Sequence, residues 1–409
     1  MLGLGPLRFG VFLAPHHDPS ISPTRQLRRD LDLIELLDDL GYDEVWVGEH
    51  HSGGHEIIGS PEMLLAAAGE RTRRIRLGTG VNSLPYHNPL ILADRIVQLD
   101  HMTGGRAMLG MGPGQLPTDA FMLGIDPRAQ RDMMIEAAEV IVALLAGEVV
   151  TRTTSWFDLH EAHLQLPPCN PDGIEVSVAS AVSPTGAVLA GRLGLGMLSL
   201  AATDPRGYSA LDVNWGFLER AASEAGHTAD RSRWRILAGM HLSDSVQQAR
   251  REVEHGILGS VVGYIESLTA ERLPWASSAA DAVAKWTGDG IPGFGVATVG
   301  TPADAVATIG RLSERSGGFG TLLLLAHDCA SWVATRRSFE LFAEEVIPEL
   351  RGLNAARRAS REWSRDNSAT FLGAMRAAIV DAVARYPSPG SGAAPGPGGP
   401  VDSWLPAES

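Results

Sequence analysis

Short apolar runs alternate with longer amphipathic stretches along most of the chain. The apolar runs lie at 9–14, 43–49, 75–85, 106–112, 174–180, 196–201, 234–243 and 321–327. Each is apolar on both faces, as the strands of a parallel sheet covered by helices must be. Eight such strand–helix units over about 350 residues predict an α/β fold, a (β/α)8 TIM barrel with insertions, in preference to an open doubly wound sheet.

Three segments stand outside this alternation. Residues 147–172 predict a hairpin-like insertion between the fourth and fifth units. Residues 270–300, which include Trp275, Trp286 and several glycines, predict a loop insertion after the seventh strand. The last segment is rich in Pro, Gly and Ser and has no means of packing. The predicted domains are a barrel over 1–350, a peripheral helix or assembly element over 351–386, and a disordered Pro/Gly-rich tail over 387–409.

The charge and composition disfavour several classes of protein. A net charge of −14 without a clustered positive surface argues against nucleic acid as a partner. The first residues, MLGLGPLRFG, lack the basic start and apolar core of a signal peptide. No window reaches the roughly 18 apolar residues of a membrane span. Cys169 and Cys329 are isolated, which argues against a disulfide framework or a zinc site. We expect a soluble, cytoplasmic protein.

Polar or small side chains follow the first four predicted strands. They are His16 and His17 after the first strand, His50 and His51 after the second, Asn82 and Tyr86 after the third, and Gly112 and Gly114 after the fourth. Because a barrel carries its active site at the C-terminal ends of its strands, these residues are expected to meet at one mouth. His50 is the candidate for acid–base chemistry, since an imidazole titrates near neutral pH.

The sequence EHHSGGHE after the second strand raises the question of a metal site. Adjacent side chains of an extended segment point to opposite faces, so His50 and His51 are poor joint ligands. A site built from Glu49, His16 and His51 has no HExxH or Asp-rich pattern to support it. We therefore predict no metal. For His51 and His55 we favour simple hydrogen bonds to a neighbouring loop.

Two further segments bear on phosphate binding. LGMGPGQ at 109–115 is rich in glycine, but it follows the fourth strand and lacks the acidic strand end of a dinucleotide fingerprint. Its glycines instead favour the close approach of a flat or bulky group. At Ser183 and Thr185 a strand stops and a helix starts, with free N–H groups and hydroxyls that suit a phosphate. An ordinary N-cap is the alternative. Arg131 is a candidate second phosphate contact.

Four segments together resemble one protein family. They are VWVGEHHSGG, IRLGTGVNSLPYHNPLILADRIVQLDHMTGGRAMLGMGPG, LGIDPRAQR and ASAVSPTGAVLAGRLG. In this order, within residues 8–350, they are similar to the bacterial luciferase-like family of flavin-dependent monooxygenases, and most similar to its limonene 1,2-monooxygenase-like members. The resemblance implies a TIM barrel that binds reduced FMN (FMNH2) at its mouth and uses O2.

The resemblance also implies roles for individual residues. His50 would act in acid–base chemistry beside the flavin, and a non-prolyl cis peptide between Gly80 and Val81 would lie under the isoalloxazine ring. The expected cofactor contacts are Gly80, Val81, Asn82, Gly112, Arg131, Ala181, Ser183, Thr185 and Gly186, of which Arg131, Ser183, Thr185 and Gly186 would hold the phosphate. The expected substrate pocket comprises His16, His51, Tyr86, Trp275 and Trp286, with the 270–300 insertion as a lid.

The chain departs from the luciferases at three of these positions. Gly112 stands in place of the reactive cysteine, Pro113 replaces a phosphate-binding arginine, and the acidic flavin contact is replaced near Ala181. Light emission from a long-chain aldehyde is therefore not expected. These departures indicate modest FMN affinity, which suits a two-component enzyme supplied with reduced FMN by an NAD(P)H:flavin reductase. The resemblance also implies a homodimer or homotetramer.

The expected reaction inserts one oxygen atom from O2 into a small hydrophobic substrate through a flavin C4a-(hydro)peroxide. A terpene-like alkene, a ketone or an intermediate of secondary metabolism would suit such a pocket. The sequence leaves alternatives open. One is a deazaflavin-dependent oxidoreductase that transfers hydride on the same barrel. Another is a non-catalytic flavin-binding protein, and a third is a metal-dependent barrel hydrolase.

Overall fold

In the described part of the chain, eight parallel strands close into a barrel. The computed structural model describes residues 7–13, 16–268, 275–291 and 295–385. The barrel strands, numbered in chain order, are β1 (Arg8–Leu13), β2 (Glu44–Val47), β3 (Arg76–Thr79), β4 (Ala107–Gly112), β5 (Glu175–Ser180), β6 (Gly196–Ser199), β7 (Trp234–Leu242) and β8 (Thr321–Leu325). Each strand pairs with the next, and β8 pairs with β1 to close the ring. The predicted (β/α)8 barrel is confirmed.

Helices connect and cover the strands. In the barrel unit they span Pro23–Leu40, Pro61–Arg71, Pro89–Thr103, Pro117–Met122, Gln130–Leu145, Thr185–Arg192, Pro205–Glu224, Val246–Glu254, Gly263–Leu268, Ala279–Thr287, Pro302–Ser316, Trp332–Leu341 and Ile347–Leu350. Several begin at a proline, whose fixed φ and missing N–H suit the first helical position. Gly41 follows the first of them and Gly104 the third, both in the left-handed conformation that glycine adopts without strain.

The hydrophobic core has two main layers. One lies between the strands and the helices, and the other fills the inside of the barrel. The inner layer consists of Phe12, Trp46, Met108, Leu198, Leu237, Leu323 and Leu325. Successive side chains of a strand point to opposite faces, so one strand supplies both layers. In β2, Val45 and Val47 belong to the outer layer and Trp46 to the inner one.

The segment 147–172 contains an antiparallel hairpin, in which Val150–Thr153 pairs with Asp158–Ala162. Two antiparallel strands can be joined by a short turn. A few polar residues between two short strand-like stretches therefore indicate a hairpin. Shorter elements elsewhere are 3-10 turns at Leu84–Tyr86 and Arg231–Arg233, π-helical turns at Leu258–Val262 and Phe342–Val346, and a strand at Asn82–Ser83 beside β4.

The segment 270–300 contains regular structure as well as loop. Helix Ala279–Thr287 precedes a short strand, Thr298–Gly300, which pairs with the end of β7. Residues 269–274 and 292–294 lie outside the described part of the chain. The predicted lid therefore falls partly on residues that the structure does not describe.

Among the described residues, those from Gly352 to Arg385 belong to a separate compact unit. It contains helices Ala355–Asp366 and Ser368–Arg385, where the sequence predicts one continuous helix. The break falls at Asn367, whose side chain donates to the carbonyl oxygen four residues earlier and so competes with the helical backbone. The predicted tail, 387–409, lies outside the described residues. None of the helices that the structure describes is long and apolar enough to cross a membrane.

Candidate active site

A cavity of about 670 Å³ opens at the C-terminal ends of the barrel strands. Pockets of roughly 300–1,000 Å³ commonly hold cofactors and drug-sized ligands. The predicted site residues that line it are His16, His50, Gly80, Val81, Arg131, Ala181, Ser183, Thr185 and Gly186. The barrel thus brings together residues from the ends of β1, β2, β3 and β5, which are far apart in the sequence.

His50 lies between two carboxylates at one end of the cavity. Its Nδ1 is 3.3 Å from Asp119 Oδ2, and its Nε2 is 3.3 Å from Glu56 Oε2. Asp119 also accepts hydrogen bonds from the Ser52 hydroxyl and the backbone N–H of His51. Burial alone would lower the pKa of His50, but Glu56 and Asp119 outweigh it and raise this pKa above 6.5. The imidazole is therefore suited to donate a proton or a hydrogen bond near neutral pH.

Glu56 faces three ring side chains. Tyr264 hydrogen-bonds to it, and the Tyr264 ring lies 4.2 Å from the ring of His16. His16 Nε2 is 4.0 Å from Glu56 Oε1. Burial, helped by the neighbouring His50, holds the pKa of His16 well below its usual 6.5, so this imidazole is neutral. Burial raises the pKa of Glu56, although His50 and Tyr264 oppose that rise.

His51 hydrogen-bonds a buried carboxylate beside the cavity. Its Nε2 is 2.9 Å from Glu49 Oε1, which also lies 2.7 Å from His87 Nε2. Burial would raise the pKa of Glu49, but the hydrogen bonds from His51 and His87 lower it to about 2. The His51 imidazole thus bonds a residue of its own segment, and it is not among the residues that line the cavity. Within the described residues, no group of three or more His, Cys, Asp or Glu side chains is arranged to hold a metal ion.

Gly80 and Val81 form the floor of the cavity, and the peptide bond between them is cis, as the resemblance implies. Two predicted cofactor residues lie behind this floor. A Cβ atom on Gly112 would overlap Val81 Cγ2, so glycine is needed there for the floor to pack. Asn82 is fully buried and donates from Nδ2 to Glu62 at 3.0 Å. Both residues support the floor and are not among those that line the cavity.

Three residues that were predicted to form the substrate pocket are also not among those that line the cavity. The Tyr86 hydroxyl accepts a hydrogen bond from the amide of Gln130 at 3.3 Å. Trp286 is fully buried in a separate hydrophobic cluster, and Trp275 packs against the same cluster. The place of these tryptophans in a substrate pocket stays a prediction. Neither is among the residues that line this cavity, and the amphipathic helix Ala279–Thr287 turns its apolar side, with Trp286, into that cluster.

The other end of the cavity is rich in hydrogen-bond donors. Helix Thr185–Arg192 begins there, so its first backbone N–H groups have no partner within the helix. The hydroxyls of Ser183 and Thr185 are 3.0 Å apart and both line the cavity. Arg131 and Arg206 line the same cavity. Two guanidinium groups, two hydroxyls and a helix N-terminus form a set of donors that fits a phosphate.

Gly186 sets how closely this helix packs on β5. A Cβ atom would overlap the carbonyl oxygen of Ala179, so Gly186→Ala should push the helix outward. We expect the free energy of unfolding to fall by about 1–3 kcal/mol. Gly310→Ala is the matched control, because an added Cβ atom meets nothing within 4 Å in helix Pro302–Ser316. Urea unfolding followed by circular dichroism measures both variants. Equal stability of the two would contradict the packing argument.

The sequence interpretation missed four residues of the site: Glu56, Asp119, Tyr264 and Arg206. Glu56 closes the EHHSGGHE segment, in which the spacing of the histidines is the stronger sequence signal. Asp119 and Arg206 sit near helix starts, where an exposed charge is ordinary. Tyr264 comes from the segment after β7, and only the folded chain brings it to His16.

Comparisons with known proteins identify the family. The family model described as luciferase-like monooxygenase matches residues 7–318, most of the chain. The chain belongs to the luciferase-like monooxygenase family. It is 45% identical to limonene 1,2-monooxygenase of Rhodococcus erythropolis over 382 residues, which cover 93% of this chain and 96% of the relative. It is 42% identical to 4-hydroxyprotoasukamycin monooxygenase of Streptomyces nodosus subsp. asukaensis, over 90% of this chain and 99% of that one.

A solved structure of a type II Baeyer–Villiger monooxygenase shares the fold. It is the oxygenating constituent of 3,6-diketocamphane monooxygenase from Pseudomonas putida, in complex with FMN. The two chains are 27% identical, with a TM-score of 0.68 over 84% of this chain and 98% of that one. The resemblance predicted from the sequence is therefore confirmed. This luciferase-like monooxygenase is a flavin-dependent oxidoreductase.

Proposed function

We propose that the chain is the oxygenating component of a two-component monooxygenase, which uses reduced FMN and O2 to insert one oxygen atom into a small hydrophobic substrate. The observation that carries the proposal is that one cavity combines two kinds of binding group. A phosphate-suited end, with Arg131 and Ser183, lies in the same cavity as an imidazole end, with His50. The FMN complex of the diketocamphane enzyme supports FMN as the flavin. A separate NAD(P)H:flavin reductase would supply the reduced FMN.

The residues of the cavity fit FMN by their chemistry. Ser183, Thr185 and the N-terminus of their helix would hold the phosphate, together with the guanidinium groups of Arg131 and Arg206. The floor of Gly80 and Val81 carries no charge and would accept a flat ring. Reduced flavin, when bound, supplies the electrons that activate O2. The chain's own task is to bind, orient and protect the reactants.

His50 would hold a proton at the reacting end of the cavity. Both of its ring nitrogens face carboxylates, so the ring is fixed in orientation. Phe12, Leu237 and Leu325 give the cavity an apolar side that excludes water from the reaction. This apolar side would suit an alkene or a ketone as substrate. The names of the limonene and diketocamphane relatives support the same class.

An anaerobic titration tests this function. The purified protein is titrated with reduced FMN, and separately with a reduced deazaflavin coenzyme, before oxygen is admitted. We expect reduced FMN to bind, and we expect oxygenated product when a panel of alkenes and cyclic ketones is added with NADH and a flavin reductase. Tight binding of the deazaflavin alone, without product from O2, would replace the proposal with a hydride-transfer enzyme. FMN binding with no product would favour a non-catalytic flavin-binding protein.

Arg131→Ala should weaken the binding of reduced FMN by about 10–100-fold, because a charge-assisted hydrogen bond to phosphate contributes about 1.5–3 kcal/mol. Riboflavin, which lacks the phosphate, should bind the variant and the wild type equally. Arg128→Ala is the matched control, since the side chain of Arg128 is 91% exposed and pairs with Asp126. Fluorescence titration measures both ligands. An equal loss for riboflavin and FMN would remove Arg131 from the phosphate site.

A further inference from the structure

The imidazole of His50 lies between the carboxylates of Asp119 and Glu56. Asp119 approaches Nδ1 and Glu56 approaches Nε2, each at 3.3 Å. A neutral imidazole has one N–H donor and one lone pair, whereas the imidazolium has two N–H donors. A carboxylate that faces each nitrogen therefore favours the protonated ring over the neutral one.

Glu56 is also held from other sides, which fixes the geometry. Its exposed fraction is 8%. Tyr264 hydrogen-bonds to it, and His16 lies 4.0 Å away as a neutral imidazole. The titratable groups that face His50 are Glu56, Asp119, Glu49, His16 and His51. The two close carboxylates and the more distant Glu49 favour a proton on His50, and the neighbouring imidazoles oppose it.

We propose that Glu56 is a positioning residue that holds His50 in one orientation and keeps a proton on its ring, so that His50 meets the reactants as a donor. This inference deepens the proposed function, on which it rests for its role in the reaction. Glu56→Gln removes the charge and keeps the shape. The new amide would donate to Nε2, which stabilises the neutral ring. The raised pKa of His50 in the wild type agrees with this direction.

The charge state of His50 is measured by NMR on the protein without cofactor, with ¹³C-labelled histidine and His50→Gln to assign the signal. We expect the wild-type ring to titrate above pH 6.5, and the midpoint to fall by about 1 pH unit or more in Glu56→Gln. The matched control is Glu252→Gln, which makes the same change at a pair 3.0 Å from His241, away from the cavity. It should leave the His50 midpoint unchanged.

Oxygenase turnover provides the second readout. In Glu56→Gln the alkaline limb of the pH profile of kcat should move to lower pH by the same amount as the NMR midpoint, with the Kd for reduced FMN unchanged. Equal NMR midpoints in the variant and the wild type, or a neutral His50 at pH 6 in the wild type, would overturn the inference. A shifted midpoint with an unmoved pH profile would also overturn it, because the proton would then not serve the reaction. If the wild type has no oxygenase activity, the proposed function fails, while the NMR midpoints still decide what Glu56 does to His50.

Discussion

Replacing Arg235 by methionine should lower the free energy of unfolding by about 3–5 kcal/mol. Arg235 is fully buried inside the barrel. Its Nε and Nη2 donate to the two oxygens of Glu44 at 2.7 and 3.0 Å, and its Nη1 lies 2.8 Å from Glu175 Oε1. Its guanidinium also lies 4.8 Å from the ring centroid of Trp46. Methionine would fill the space but leave Glu44 as an uncompensated buried charge.

A second replacement distinguishes lost charge pairing from lost packing. In Glu44→Leu/Arg235→Met both members of the buried pair become apolar, so much of the lost stability should return. Glu175 keeps Arg76 as a partner in either variant. Burial would raise the pKa of Glu175, but Arg235 and Arg76 lower it further than burial raises it. This carboxylate therefore stabilises the wild type above its unfolded pKa of 4.5, and that contribution is lost as the pH falls below this value.

Urea unfolding at pH 7 and pH 4 measures these effects. Arg128→Met is the control, because that arginine forms an exposed pair with Asp126 and should leave the unfolding curve in place. The loss caused by Arg235→Met should be smaller at pH 4 than at pH 7, since Arg235 lowers the pKa of Glu175 and the stability gained in this way is lost as the pH falls. A variant as stable as the wild type at pH 7 would show that the buried cluster does not stabilise the barrel.

The barrel could be predicted from the sequence because the alternation of apolar strands and amphipathic helices repeats along the chain. Each strand carries apolar residues on both faces, and the order of strand and helix recurs often enough to indicate closure. Arg235 shows where this reasoning ends. It stands at the start of an apolar strand, where a charged residue usually faces solvent, and its partner Glu44 is 191 residues away in the sequence. Only the closed ring places them together inside the barrel.

Some residues of the candidate site could also be predicted from the sequence, and others could not. His50, Arg131 and Ser183 belong to contiguous segments with a recognisable pattern, and the structure brings all three to one cavity. Glu56 lies in the loop after β2 and Tyr264 in the short helix Gly263–Leu268 after β7, and such connecting segments leave little periodic signal. The insertion around Trp286 is hard to interpret for a related reason. A tryptophan in a polar-looking insertion suggests a lid, whereas the helix around it buries the ring.

His50→Gln should reduce kcat by about 10²–10⁴-fold, the range for loss of a general acid or base. Glutamine keeps a donor near Asp119 but cannot carry the proton that His50 holds between Asp119 and Glu56. The Kd for reduced FMN should change little, because the phosphate-suited donors lie at the other end of the cavity. Steady-state turnover with a saturating reductase and a fluorescence titration of reduced FMN separate the two effects.

The control for this substitution is His101→Gln. His101 bonds the carbonyl oxygen of Pro167 at 2.9 Å on the surface, so its loss should leave kcat unchanged. A fall in kcat with an unchanged Kd for reduced FMN would place His50 at the reacting end of the flavin. Unchanged turnover in His50→Gln would remove the imidazole from the chemistry, and the two carboxylates around it would then have a structural role. A weakened Kd with normal kcat at saturation would instead place His50 in cofactor binding, since such a loss affects ground state and transition state alike.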